Sequence, residues 1–421
     1  MNRLVITYIV FLFLVSPAHA QDLPTAKPEE VGFSADRLAR LDEKFNAYVT
    51  DNKMAGSVIL VARKGKVIYN KAFGFRDKEA GAQMETSSIF RIASQTKAIV
   101  STAIMMLQEE GKLLIEDPVS RFLPEYENTT VAVRRESGGY DIVPAKRKMT
   151  IRELLTHTAG VGYGEGVAAD LWKKAGMQGW YFAHRDEPVG ETIKKMAALP
   201  MDAHPGEEYV YGYATDILGV IIEKASGIPL DEFLKSRIFE PLGMTDTHFF
   251  LPEEKAKRLT KVYIPMEGKP LTPAPLHGTM DSQGHYVKGP RKSFSGGAGL
   301  VSTAKDYYLF LKMIADGGVL NGRRLLSPST IDLMVANHLH EDIEYGAGVG
   351  FGLGFEVVLD QGQRGQPGSV GAFRWGGAYG STYWVDPSEE LIIVYFTQVR
   401  PSSIVPDQSM LRVLVYQALV E

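Results

Sequence analysis

Ser94 and Lys97 stand three residues apart in the stretch "FRIASQTKAI", Phe90 to Ile99. On a helix, positions i and i+3 share a face, so a hydroxyl and an amine at this spacing are neighbours. A serine in a first helical turn sits among unpaired backbone N–H groups, which favour developing negative charge. The segment that follows, Ala98 to Leu107, is apolar apart from Ser101 and Thr102. A helix apolar all round is buried. A lysine at the head of such a helix loses solvation, and desolvation works against the charged ammonium. That is the setting in which an amine can take a proton from a serine nucleophile.

The motif is short, and the chain carries it twice. Ser302-Thr303-Ala304-Lys305 precedes an amphipathic run of Tyr307, Phe310, Leu311, Met313 and Ile314. This copy reads as a helix N-cap with an exposed lysine. Two other stretches set Ser94 apart. Tyr211, in "PGEEYVYGYATDILGVIIEKASG" (Pro205 to Gly227), follows a Pro-Gly turn and precedes an apolar helical run. A tyrosine beside an ammonium can share or give up its proton, because the positive charge favours phenolate. Taken by itself the residue reads rather as a packing aromatic. In "FRWGGAYGSTYWVDP" (Phe373 to Pro387), Trp375-Gly376-Gly377 sits before a strand. Paired glycines permit close backbone approach to a ligand. An N–H on such an edge, with that of Ser94, suits an oxyanion; a plain strand bulge is the other reading.

These residues need a frame. Val58 to Ala62 and Val67 to Ala72 read as a hairpin across Arg63-Lys64-Gly65-Lys66. Leu353 to Val358, Ser381 to Val385 and Leu391 to Thr397 read as strands, with "DPSEE" as a polar turn and Val405 to Leu419 as a closing helix. The middle, roughly Thr86 to Asp281, has a mostly helical pattern. The Pro-rich "IPMEGKPLTPAPLHG" (Ile264 to Gly278) reads as a surface excursion, and "ESGGYD" (Glu136 to Asp141) as a loop tip. The expected fold class is α/β of the α+β type. Strands from both ends of the chain build one antiparallel sheet flanked by helices, with a mostly helical lobe inserted.

With 421 residues and a net charge of -4, the chain can bury a large core, and it has no basic stripe for nucleic acid. Arg3, the apolar run Leu4 to Val15 and Ala18-His19-Ala20 read as a signal peptide over residues 1–20. The protein is expected to be exported, periplasmic or secreted, with no stable membrane insertion after cleavage. Cysteine is absent, which excludes disulfides and a cysteine nucleophile. His338-Leu339-His340 has no evident third ligand, so no metal or other cofactor is implied.

Taken in order, the three stretches resemble the serine β-lactamase and penicillin-binding protein superfamily. Within it they are most similar to the carboxylesterases with a class C β-lactamase fold, often called family VIII esterases. "LLTHTAG" (Leu154 to Gly160), "IFEPLGMTDTHF" (Ile238 to Phe249) and "SGGAGLVSTAKDY" (Ser295 to Tyr307) agree. The resemblance implies one β-lactamase/transpeptidase-like domain over 21–421, its sheet lobe at about 21–85 and 290–421 and its helical lobe at about 86–289. It implies Ser94 as the acyl-forming nucleophile and Lys97 with Tyr211 as the base system. It places the oxyanion hole at the N–H groups of Ser94 and Ala378. Which of Lys97 and Tyr211 takes the first proton stays open.

The chain departs from the lactamase pattern at two points. Tyr211-Gly212-Tyr213 stands where those enzymes usually carry Tyr-x-Asn, and Trp375-Gly376-Gly377 where they carry Lys-Thr-Gly. Tryptophan offers an apolar face and one N–H where a lysine would hold a carboxylate. The expectation is a serine carboxylesterase for short-chain esters, with Trp375, Gly376, Gly377 and Tyr213 contacting substrate. The alternatives are a β-lactamase or D-amino peptidase, a transacylase, or a non-catalytic binding relative. The only partner implied is a small ester; nothing bears on oligomeric state.

Overall fold

The computed structural model describes residues 23–266, 269–278, 280–402 and 405–421. The expected signal peptide lies outside them. Strand β1 (Gly56–Arg63) and strand β2 (Lys66–Asp77) form a hairpin in which Arg63 pairs with Lys66. Its loop is therefore only Lys64-Gly65, shorter than the four residues expected. Both loop residues have positive φ, 51° and 72°. Two-residue hairpin loops take this conformation because it matches strand twist. All eight residues of β1 are buried. Val58, Leu60 and Ala62 point into one core, Ile59 and Val61 into another, so both faces of the sheet are covered.

The sheet is completed by β3 (Ala82–Gln83), β4 (Val349–Phe351), β5 (Glu356–Val358), β6 (Phe373–Gly376), β7 (Thr382–Asp386) and β8 (Leu391–Thr397). The spatial order is β4-β5-β6-β7-β8-β1-β2-β3, with every neighbouring pair antiparallel. The two ends of the chain meet where Val58 pairs with Phe396 and Leu60 with Val394. The single strand expected over Leu353 to Val358 is instead a tight corner leading into β5. Gly354 turns there at φ 96°, where a Cβ would lie 2.5 Å from Ser101 Oγ. Trp375-Gly376-Gly377 precedes β7 as expected, and its first two residues also end β6.

Helix α1 (Ala35–Thr50) and helix α5 (Asp407–Tyr416) cover one face through Leu41, Phe45, Leu411 and Val415. The other face meets α4 (Ala304–Ala315), and beyond it lie α2 (Thr96–Glu109) and α3 (Ala214–Ser226). Helix α2 is buried from Thr96 to Leu107, as its apolar composition requires. The inserted region also holds two small hairpins, Thr130–Arg134 with Tyr140–Pro144 and Tyr263–Met266 with Lys269–Pro273. The second occupies part of the Pro-rich stretch expected as a plain excursion. Its strands lie outside the main sheet and carry Pro265, Pro270 and Pro273, and edge strands tolerate proline.

Candidate active site

Ser94 sits in a 3-10 turn, Ala93–Gln95, that runs into α2. Ala93 is buried at φ 42°, a conformation that L-residues adopt at some cost. The end of β6 holds the turn from outside. A Cβ on Gly377 would lie 2.5 Å from the Ile92 carbonyl oxygen, so only glycine lets the two backbones approach this closely. The N–H of Ala378, next in the chain and on the cleft wall, has no acceptor among the described residues.

Lys97 is 1% exposed. Its Nζ donates to the Gly297 carbonyl at 2.8 Å and contacts Tyr163 Oη at 3.0 Å and Ser94 Oγ at 3.4 Å. The carbonyl takes one N–H in either charge state of the amine. The two hydroxyls can each donate or accept, so the arrangement tolerates proton movement without moving heavy atoms.

Tyr211 packs its ring face against the same amine, with Nζ 4.6 Å from the ring centroid. Its hydroxyl accepts from Trp375 Nε1 at 3.3 Å. The Tyr163 ring stands edge-on to it, 5.7 Å between centroids. Burial pushes the Tyr163 hydroxyl well above the ordinary tyrosine range, and the neighbouring Tyr211 adds to this. Tyr163 thus stays a protonated O–H beside the amine. Sequence reasoning missed it; its one signal is an aromatic set between Gly162 and Gly164, shortly after "LLTHTAG".

His157 lies behind the tyrosines, 2% exposed, its ring 4.7 Å from that of Tyr211. Burial and the charge of Lys97 hold its imidazole well below the usual histidine range, so it is neutral packing. Tyr213 corrects the expectation of substrate contact. It is fully buried, its ring stacks on Trp172 and Phe182, and its hydroxyl donates to the Gly179 carbonyl at 2.6 Å. The residue caps the start of α3, and helix geometry turns its side chain inward. Of the aromatic residues after His157, Tyr163 and Trp180 reach the cleft, while Trp172, Tyr181 and Phe182 pack inside.

The cleft has a volume of about 410 Å³. Ser94, Tyr163, Tyr211, Trp180 and Trp375 line it together with the backbone of Gly376 to Ala378. Arg374 and Glu356 also reach its wall and pair at 3.2 Å. A half-buried serine hydroxyl at the cleft, a buried amine and N–H groups at a glycine edge suit acyl transfer through an oxyanion.

The second S-x-x-K lies close by but differs. Ser302 pairs opposite Phe90, is fully buried, and its hydroxyl shares a hydrogen bond with Thr247 Oγ1 at 2.8 Å. The N-cap of α4 is Thr303, not Ser302, and Lys305 is half-buried rather than exposed. His338 and His340 stay apart from the cleft. The first contacts the Leu333 carbonyl; the second pairs with Asp342.

The beta-lactamase family model matches residues 41–417. Esterase EstB of Burkholderia gladioli is 32% identical over 395 residues, covering 89% of this chain and 94% of its own. A putative D-alanyl-D-alanine carboxypeptidase of Escherichia coli (strain K12) is 25% identical, covering 93% of this chain and 89% of its own. Among solved structures, EstCE1, a hydrolase with promiscuous acyltransferase activity, aligns with a TM-score of 0.77 at 26% identity. It covers 90% of this chain and 99% of its own.

Proposed function

This chain belongs to the beta-lactamase family, and on that premise we propose that it is a serine hydrolase cleaving short-chain carboxylic esters through an acyl-enzyme on Ser94. The observation that carries this reading is the contact of one buried amine, Lys97 Nζ, with Ser94 Oγ and Tyr163 Oη in a cleft that Ser94 lines. Ser94 Oγ attacks the ester carbonyl carbon while its proton passes to the base system of Lys97 and Tyr211. The oxyanion is held by the N–H groups of Ser94 and Ala378, each worth roughly 3 kcal/mol in comparable sites. As the tetrahedral centre collapses, the alcohol leaves with that proton. Water then attacks the acyl-enzyme, gives up a proton to the same base and releases the acid, returning the proton to Ser94.

Two features favour a neutral ester over a charged peptide-like substrate. Trp375 replaces the lysine that would hold a carboxylate. Tyr213 is turned away, so no side-chain amide or hydroxyl from that position faces an acyl amide. Arg374 stays a cation on the wall, because its partner Glu356 is shared with Arg364 at 3.6 Å. The name EstB supports the ester reading, and the description of EstCE1 supports transfer of the acyl group to an alcohol as a variant of it. The carboxypeptidase relative supports a second reading, hydrolysis of D-amino peptides.

The test is hydrolysis of p-nitrophenyl butyrate by wild type and by a folded Ser94→Ala variant, beside nitrocefin and a D-alanyl dipeptide. Ester turnover lost in the variant supports the proposal. Turnover of nitrocefin or the dipeptide above that of the ester reverses the ranking. No turnover of any, together with no labelling by a fluorophosphonate, points to a binding protein.

A further inference from the structure

Asp216 lies on α3, five residues beyond Tyr211, and is 1% exposed. Its Oδ1 accepts from the Ser295 hydroxyl at 2.6 Å and from the Gly297 N–H at 3.1 Å. Ser295 Oγ in turn accepts the Ala298 N–H at 3.3 Å. The carbonyl of that same Gly297 accepts from Lys97 Nζ. One residue of backbone therefore separates a buried carboxylate from the amine beside Ser94. Glycine permits this approach. A Cβ on Gly297 would lie 2.3 Å from Asp216 Oδ2, and one on Gly296 would lie 2.6 Å from the Thr215 carbonyl oxygen.

Fastening a loop by two accepted hydrogen bonds does not need a charge; an asparagine oxygen accepts the same two. A buried carboxylate is costly unless its charge has a counterpart. Burial pushes the Asp216 carboxyl above its ordinary range, and the Ser295 hydroxyl and then Lys97 on α2, the charged group facing it, oppose that only in part. Tyr163, on the loop after His157, and Tyr213, on its own element, face it as uncharged hydroxyls. Lys97 also faces Tyr211 and the neutral His157.

We propose that Asp216 is a positioning residue for Lys97: it fixes the Ser295–Ala298 loop so that the Gly297 carbonyl holds Nζ, and it supplies the negative charge behind that amine. This rests on the reading of Ser94 and Lys97 given above.

The experiment measures kcat and KM for p-nitrophenyl butyrate between pH 5 and 10 in wild type, Asp216→Asn, Ser295→Ala and Ser94→Ala. Asp216→Asn keeps the shape and removes the charge. Its kcat is expected to fall about tenfold or more with KM little changed. The acid limb of kcat/KM should move to lower pH, because removing a buried anion behind the base system favours its deprotonated form. A purely structural residue would move Tm and leave that limb in place, so an unchanged limb overturns the charge role. Ser295→Ala deletes one small hydroxyl and is the variant to rely on if Asp216→Asn does not fold. Its kcat should drop about threefold or more, with wild-type kcat overturning the loop-positioning role. Full activity in Ser94→Ala would instead sink the reading on which the proposal rests.

Discussion

The chain spells S-x-x-K twice, and the two copies lie almost side by side, because Phe90, four residues before Ser94, pairs with Ser302. In the first copy the serine tops a 3-10 turn at the cleft and the lysine is buried against its hydroxyl. In the second the serine belongs to a buried two-residue strand, its hydroxyl is taken by Thr247, and the lysine lies half-buried on the first turn of α4. Identical residue types at identical spacing line a cleft in one place and pack inside in the other. What differs is the side of the chain left open. Ser94 lines the cleft beside Gly377 and Ala378, while Ser302 is fully buried with Thr247 on its hydroxyl.

The strongest way to break this comparison is to exchange the roles of the serines. Ser94→Ala should lower ester turnover by about 10³-fold or more with folding intact. Ser302→Ala should leave kcat within about twofold and cost about 1–3 kcal/mol, since Thr247 loses a buried partner. Denaturant melts beside rate assays separate the two, and loss of turnover in the Ser302 variant at full stability would contradict the assignment. Next come the lysines. Lys97→Ala should cost about 10²- to 10⁴-fold in kcat, whereas Lys305→Ala should be silent in the same assay. A smaller effect sharpens the role of the open side. Gly377→Ala drives a methyl against the Ile92 carbonyl, so the end of β6 must shift. The expected loss is about tenfold or more in kcat, from a displaced oxyanion donor; unchanged kcat would mean that Ala378 is not that donor.

The last prediction leaves catalysis untouched. Asp306, one residue after the second motif, is buried, and burial pushes its carboxyl up to about 6. Its folded value thus lies above its unfolded one. The folded state holds the proton more tightly, so this contribution to stability is complete below about pH 4 and is lost as pH rises through about 6. Asp306→Asn should therefore gain relative to wild type between those values, by up to about 3 kcal/mol, with unchanged kcat at pH 8. Unfolding free energies measured at pH 4 and pH 7.5 check this; a difference that does not grow with pH contradicts it.

Much of the frame was legible. The runs that became β1 and β8 are apolar on both faces, and a strand covered on both sides has that pattern. Helix α2 was legible because twelve consecutive buried positions need apolar or small side chains. The corner before β5 was not, since its turn depends on Gly354 meeting Ser101, more than two hundred residues away. Tyr213 was misread because Tyr-x-Tyr resembles a motif whose third residue faces substrate, and only the start of α3 shows that it turns inward.

By itself the sequence determined which residues could carry a nucleophile, an amine and a close-approach edge, and that strands at both ends of the chain would share a sheet. Those are matters of residue type and local periodicity. Tertiary structure alone decided which serine stands open, that Tyr163 joins Lys97, and that Asp216 stands behind Gly297. Each of those depends on contacts between segments far apart in the chain, and local pattern carries no information about such contacts.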